Sequence, residues 1–331
     1  MRRTCGGCSP SLRLRAVGRD RSAVTSKDRA RVRSAGRGEQ ARGVRMAADD
    51  LTGVIGLGNM GSRMARRLVG AGRQVIGYDV RPVDVPGVGT VEDLASVAEE
   101  ASILVLSLPH GAIVSEVCRR VLAVSTRSVQ VIVDTSTIGP DAAKAMAELC
   151  AASGVAYIDA PVSGGIHGAE AGTLSMMIAT DQATFDRLDP VLAQIAQRRF
   201  LVGDLAGQGQ AMKLLNNFLS GTMLATSEAV AFGVREGLDP ALIIEVLNVS
   251  SGRSSASDDK FPRSVLPGTY DYGFATALMQ KDVRLYAEGV RDASESHAVA
   301  DTVAAAWKTF EEAAPNSDCT AIYEWVRGEY R

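Results

Sequence analysis

Two segments of this chain combine residue types and spacings that can do chemistry. The first is Val54-Ile-Gly56-Leu-Gly58-Asn59-Met60-Gly61, a Gly-x-Gly-x-x-Gly turn between an apolar run and a helical one. Such a turn lets a diphosphate approach the backbone at Gly58. The anion then rests on the free N–H groups and positive dipole end of the next helix, around Asn59 and Met60. Asp79 ends a second apolar run about 20 residues on, where a ribose-binding carboxylate is expected. A plain structural turn is the alternative. The second segment is Gly207-Gln-Gly-Gln-Ala-Met-Lys213-Leu-Leu-Asn216-Asn217. Lys213 and Asn217 stand four residues apart and share one helix face. Oxidising an alcohol requires a group that takes the hydroxyl proton as hydride leaves. A lysine does this when desolvation or a neighbouring cation brings its pKa toward neutrality. A solvated surface lysine, and an asparagine tying two helices together, are the competing readings.

Three further segments fall between these two. Leu106-Ser-Leu108-Pro109 follows a strand and should cross the cofactor. Asp134-Thr-Ser-Thr137-Ile-Gly-Pro140 presents hydroxyls to its nicotinamide end. In Asp159-Ala-Pro-Val-Ser163-Gly164-Gly165 a hydroxyl and adjacent N–H groups suit a carboxylate, although Ser-Gly-Gly is also good turn chemistry. Together the segments resemble the β-hydroxyacid dehydrogenase family, which includes 3-hydroxyisobutyrate dehydrogenase and tartronate semialdehyde reductase. The resemblance runs over about residues 53–285. It implies that Lys213 is the catalytic acid/base and that Asn217 orients the substrate. Ser163 and Gly164, with Gly165 beside them, would bind its carboxylate. Lys281, in Gln-Lys-Asp-Val, would lie by the nicotinamide; an exposed helix lysine beside Asp282 is the alternative for it.

The chain also departs from the family pattern. Ser250-Ser-Gly-Arg253-Ser-Ser lacks the tryptophan of the hydroxyisobutyrate enzymes, which favours a more polar substrate with Arg253 as its ligand; a solvated loop arginine is the alternative. His110 follows Pro109 where many relatives carry polar residues, and it reads as a partly exposed loop histidine. Tyr78-Asp79-Val-Arg81 mixes an acid that favours NAD with an arginine suited to a 2′-phosphate. Asp79 ranks first because it ends the strand. NAD is therefore the expected cofactor and NADP the alternative.

The elements that must position these residues alternate. Strand-like runs at 53–55, 74–78, 103–106, 129–133 and 156–159 are separated by helical stretches such as 62–71 and 140–153, and 174–179 with 199–202 suggests a further β pair. Alternation of this kind implies a mainly parallel, helix-covered sheet with ligands at the carboxyl ends of its strands. From Gln210 to Glu236 there is no proline, and one long helix is expected. Gly237-Leu-Asp239-Pro240 breaks it, with Asp239 as N-cap and Pro240 at the first helical position. The rest reads as helical apart from 250–274. The fold class is thus α/β: a Rossmann-type dinucleotide-binding domain over 47–209, then an all-helical substrate and oligomerisation domain over 210–331.

Residues 1–46 hold 13 of the 36 Lys and Arg residues and three acids, leaving 23 basic and 35 acidic residues in the body. An acidic body argues against nucleic-acid binding, and no apolar run approaches the ~18 residues of a membrane span. The basic tail has no core-forming pattern and reads as disordered. It is a transit peptide, an acidic-partner segment or, the favoured reading, the product of an upstream start codon with Met46 as the initiator. Five scattered cysteines suggest no metal site: Cys5 and Cys8 lack a second pair, and Cys118, Cys150 and Cys319 read as buried or partly buried thiols in a reducing compartment.

The function these readings give is reversible hydride transfer between NAD(P) and a small 3-hydroxy acid or its semialdehyde, in a cytoplasmic homodimer or homotetramer. Organellar placement follows only if the tail is a transit peptide. An imine reductase-like enzyme and a non-catalytic dehydrogenase-like interaction module are the rivals; both usually lack the lysine. A chain starting at Met46 is expected to match the full chain in melting temperature and kcat. A large loss of either would make the tail structural.

Overall fold

The computed structural model describes residues 51–330 except 293–296; the expectations for residues 1–46 lie outside them. In chain order the first half comprises β1 (Thr52–Ile55), α1 (Gly61–Gly70), β2 (Val75–Tyr78), β3 (Gly89–Thr90), α2 (Leu94–Glu100), β4 (Ile103–Leu106), α3 (Gly111–Ala123), β5 (Val131–Asp134) and α4 (Pro140–Ala151). It continues with β6 (Ala156–Asp159), β7 (Val162–Ser163), α5 (Gly165–Ala171), β8 (Ser175–Ala179), α6 (Gln182–Ile195) and β9 (Arg198–Gly203). The strands form one sheet in the order β3-β2-β1-β4-β5-β6-β8-β7, with β9 paired to β8. From β3 to β6 all pairing is parallel; β8 runs antiparallel to β6 and β7 and parallel to β9. The two-residue strands β3 and β7 are too short to leave a periodic signal in sequence.

β1, β4 and β5 are buried along their whole length, as parallel strands under two helical layers must be. Successive side chains alternate between two cores. Val54, Ile103, Val105, Val131 and Val133 join the core containing Met64 and Leu68 of α1. Ile55, Leu104, Leu106 and Ile132 join the one containing Val114, Val117 and Cys118 of α3. Cys118, Cys150 and Cys319 are buried free thiols, as expected.

The second half is helical: α7 (Gln208–Gly221), α8 (Met223–Arg235), α9 (Pro240–Asn248), a π-helical segment (Ala256–Val265), α10 (Thr276–Asp292), α11 (Ala298–Ala313), a 3₁₀ turn (Cys319–Ala321) and α12 (Ile322–Arg327). Its core gathers Trp307, Phe310, Phe261 and Ile322. Asp239 caps α9, accepting from the Leu242 N–H at 2.9 Å.

Two expectations need correction. The single helix over 210–236 is two helices broken at Thr222. The Trp307 indole N–H donates to the Gly221 carbonyl at 2.9 Å, and the Thr222 hydroxyl donates back to the Leu219 carbonyl. The segment 250–274 is not irregular throughout. Residues 256–265 form the π-helix, with Leu266 N–H donating to the Phe261 carbonyl five residues back at 2.8 Å. Ala256, Phe261 and Val265 are buried in the helical core, so packing overrides the breaker composition that includes Pro262.

The Gly-rich turn is governed by close contact. Gly56 has φ +90°, and a Cβ there would stand 2.3 Å from the Ser107 carbonyl oxygen. At Gly61 a Cβ would stand 1.8 Å from the Gly56 carbonyl oxygen. Gly61→Ala is therefore expected to destabilise the protein by about 1–3 kcal/mol, the cost of overpacking, as measured by urea unfolding. A neutral result would show that α1 need not sit so close to β1.

Candidate active site

The carboxyl ends of β1, β2, β4 and β5 open into a cavity of about 990 Å³ that continues to the helices of the second half. Gly56, Gly58, Asn59 and Met60 line it, while Gly61 is buried behind them, packed on Gly56. Asp79, at the end of β2, reaches back to the turn: its Oδ2 accepts from the Leu57 N–H at 2.8 Å and its Oδ1 from the Arg81 N–H at 3.0 Å. The Arg81 guanidinium is largely exposed and 3.6 Å from Asp79. A dinucleotide fits these residues. Nothing lies closer than 4.0 Å to where a Gly58 Cβ would be, and the first turn of α1 carries no side-chain cap, leaving N–H donors for an anion.

Leu108 and Pro109 follow β4 and Thr137 follows β5, all on the cavity wall. Leu108 N–H donates to Ser136 Oγ at 2.9 Å, and Ser136 N–H donates to the buried Asp134 at 2.9 Å. Lys281, on α10, donates to the Thr137 carbonyl at 2.7 Å and the Pro109 carbonyl at 3.1 Å. It is thus a bridge from the helical half to both loops rather than an exposed helix lysine.

The helix carrying Lys213 is fixed by a contact that sequence reasoning missed. Gln210, fully buried, donates from Nε2 to Asp159 Oδ1 at 2.8 Å and to the Ser136 carbonyl at 3.0 Å. Its Oε1 accepts from the N–H groups of Ile138 at 2.9 Å and Gly139 at 3.2 Å. Asp159 Oδ2 accepts from the Gly207 and Gln210 N–H groups at the start of α7, at 2.9 and 3.1 Å. One amide therefore joins the ends of β5 and β6 to α7. The motif containing Gln210 was visible; its partners, 51 to 74 residues away, were not.

One turn further along α7, Lys213 is 6% exposed and donates to Asn217 Oδ1 at 3.0 Å. Asn217 Nδ2 in turn donates to Asp282 Oδ2. Burial brings the Lys213 ammonium down to about 8, assisted by Lys281 and opposed by Asp282. Asp282, which the sequence shows only as the neighbour of Lys281, pairs with that lysine at 3.3 Å. Across the cavity, Ser163 lies on β7, in register with Ser175 of β8. Its Oγ accepts from Asn216 Nδ2 at 3.3 Å, and Gly164 and Gly165 follow on the same wall. The structure thus unites Lys213, Asn217 and the Ser163–Gly165 turn.

Arg253 is the exception. It is absent from the cavity wall, exposed, and paired with Asp258 at 2.8 Å. Solvent and a neighbouring carboxylate satisfy it on the surface, where an arginine is cheapest to place. His110 is exposed just ahead of α3.

Comparison with known proteins agrees with this layout. Residues 52–203 match the family described as the NAD binding domain of 6-phosphogluconate dehydrogenase. Residues 207–326 match that described as NAD-binding of NADP-dependent 3-hydroxyisobutyrate dehydrogenase. The 2-(hydroxymethyl)glutarate dehydrogenase of Eubacterium barkeri is 38% identical over 248 residues, 72% of this chain and 82% of that protein. The 3-hydroxyisobutyrate dehydrogenase of Pseudomonas aeruginosa is 38% identical over 247 residues, 70% of this chain and 82% of that protein. Among solved structures, 3-hydroxyisobutyrate dehydrogenase from Mycobacterium tuberculosis with L-serine superposes with a TM-score of 0.78 at 30% identity, covering 84% of this chain and 99% of that one.

The Gln210 junction makes a measurable demand. Gln210→Leu keeps the volume but strands two buried N–H donors, a backbone carbonyl and a carboxylate oxygen, each costing about 1–3 kcal/mol. A loss of about 3 kcal/mol or more in denaturant unfolding is expected, together with a fall in kcat. A loss below about 1 kcal/mol would show that the junction is dispensable.

Proposed function

The chain belongs to the β-hydroxyacid dehydrogenase family, and from that premise we propose that it transfers hydride reversibly between NAD(P) and a small 3-hydroxy acid or its semialdehyde, with Lys213 as general acid/base. The observation that carries this reading is the buried lysine hydrogen-bonded to Asn217 in the cavity that Ser163 also lines. The same lysine weighs against an imine reductase-like enzyme and a non-catalytic interaction module.

The cofactor supplies the hydride acceptor when bound. The Ser163 hydroxyl and the backbone of Gly164 and Gly165 hold the substrate carboxylate. Asn217, its amide fixed between Lys213 and Asp282, orients the substrate hydroxyl toward Nζ. Neutral Lys213 takes the hydroxyl proton as the C–H bond gives up its electron pair, and the C–O bond becomes a carbonyl. In the reverse direction the ammonium returns that proton to the oxygen. Gly56, Gly58, Asn59 and Met60 hold the diphosphate, with Gly61 shaping the turn. Leu108, Pro109, Thr137 and Lys281 border the nicotinamide. Asp79, turned toward the same cavity, supports NAD over NADP.

The division into a dinucleotide-binding domain over 47–209 and a helical domain over 210–331 belongs to the same proposal, as does cytoplasmic placement. Among the described residues no helix is long and apolar enough to cross a membrane. Leu219, Phe232, Leu238, Leu242 and Val249 of the helical half are exposed, which supports a homodimer or homotetramer.

The purified protein, assayed for NAD(P)H formation over a panel of small 3-hydroxy acids, tests the reading. Lys213→Ala is expected to lower kcat by the ~10²–10⁴ typical of lost acid–base catalysis, with dinucleotide affinity little changed. In the unmodified enzyme, kcat/KM for oxidation should rise with pH and level off above about 8, as the ammonium of Lys213 loses its proton. Near-normal turnover by Lys213→Ala would eliminate the mechanism.

A further inference from the structure

The cavity holds a second buried lysine that the proton transfer does not use. Lys260 projects from the π-helical segment, is 3% exposed and lines the same cavity as Lys213 and Ser163. Its ammonium donates to Ser220 Oγ at 2.9 Å and Ser255 Oγ at 3.4 Å, and lies 5.5 Å from the centre of the Tyr272 ring. Both hydroxyls are neutral, and no ion pair among the described residues includes Lys260.

The nearby carboxylates are committed elsewhere. Asp318 accepts from the N–H groups of Gly273 and Phe274 and from Thr320. Asp259 accepts from the Tyr272 hydroxyl and pairs with Arg263. Burial lowers the Lys260 pKa against the opposing pull of Cys319 and these two acids. A buried cation without an anionic partner is costly to the fold, and an anion arriving in the cavity removes that cost.

Its position is also informative. Ser220, which anchors the ammonium, follows Lys213 by seven residues on α7, with Asn217 between them. At 3.6 residues per turn the three share a face, and Ser220 lies roughly 10 Å along the axis from Lys213. Lys260 is therefore placed beyond the reacting centre, farther along the helix that carries it.

We infer that Lys260, with Ser220 beside it on the cavity wall, is a subsite for a second carboxylate, so that the preferred substrate is a 3-hydroxy dicarboxylate. This rests on the hydroxyacid reading above: one carboxylate at the Ser163–Gly165 turn, the hydroxyl at Lys213 and the distal carboxylate at Lys260. The polarity that the sequence assigns to Arg253 thus belongs to a residue in the neighbouring helical segment.

The test uses a matched pair, 2-(hydroxymethyl)butanedioate and 2-(hydroxymethyl)butanoate, which differ in the distal carboxylate. The unmodified enzyme should favour the diacid at least tenfold in kcat/KM. Lys260→Met should reduce that ratio at least tenfold, and Lys260→Gln should do the same. Loss of a buried charge should leave the melting temperature of either variant unreduced. A ratio near one in the unmodified enzyme, or one that neither substitution changes, would overturn the subsite. Turnover of neither acid would count against the hydroxyacid reading alone. Calorimetry of 2-methylbutanedioate and 2-methylbutanoate, which cannot react, then decides the subsite by the same tenfold criterion applied to Kd.

Discussion

The arrangement of the cleft depends on one buried amide. Gln210 spends both donors and both acceptor sites on the ends of β5 and β6 and the loop between β5 and α4. A neutral side chain with this mixed valence joins backbone donors, a backbone acceptor and a carboxylate at once. An apolar residue would strand all of them, and a charged one would add desolvation to the cost. Asp159, whose pKa burial raises, is offset by N–H groups at the start of α7 and by the positive end of that helix dipole. Because Gln210 is only three residues before Lys213, fixing the first fixes the direction of the second.

Asn217 plays an electrostatic part beyond orientation. Its amide stands between an ammonium and a carboxylate, oxygen toward Lys213 and nitrogen toward Asp282. A direct lysine–aspartate pair would stabilise the charged amine and hold its pKa up. With the amide interposed, Asp282 pairs with Lys281, and desolvation prevails at Lys213. The asparagine lets a carboxylate organise the site without tying up the base.

Much of this was legible in the sequence because it is local. The Gly-rich turn, the strand ends bearing Asp79, Pro109, Thr137 and Ser163, and the four-residue spacing of Lys213 and Asn217 are patterns within one or two elements. The misses are long-range. Trp307 breaks the helix at Gly221 from 86 residues away. Asp282 meets Asn217 across 65 residues. Lys260 sits in a segment whose glycine, serine and proline suggest a loop, yet Phe261 and Val265 are pulled into the helical core. Arg253 failed for the opposite reason: its identity suggested a ligand, while a neighbouring acid five residues on sufficed.

The Lys281 bridge carries a kinetic consequence. Its ammonium, mounted on the helical half, holds carbonyls that follow two different strands of the sheet. Parting the halves over those loops means exchanging these two hydrogen bonds for water, a far smaller event than melting any helix. Gln210 and the Asn216–Ser163 contact tie the helical half to the sheet elsewhere, so Lys281 is the tie set directly over the loops that wall the cavity.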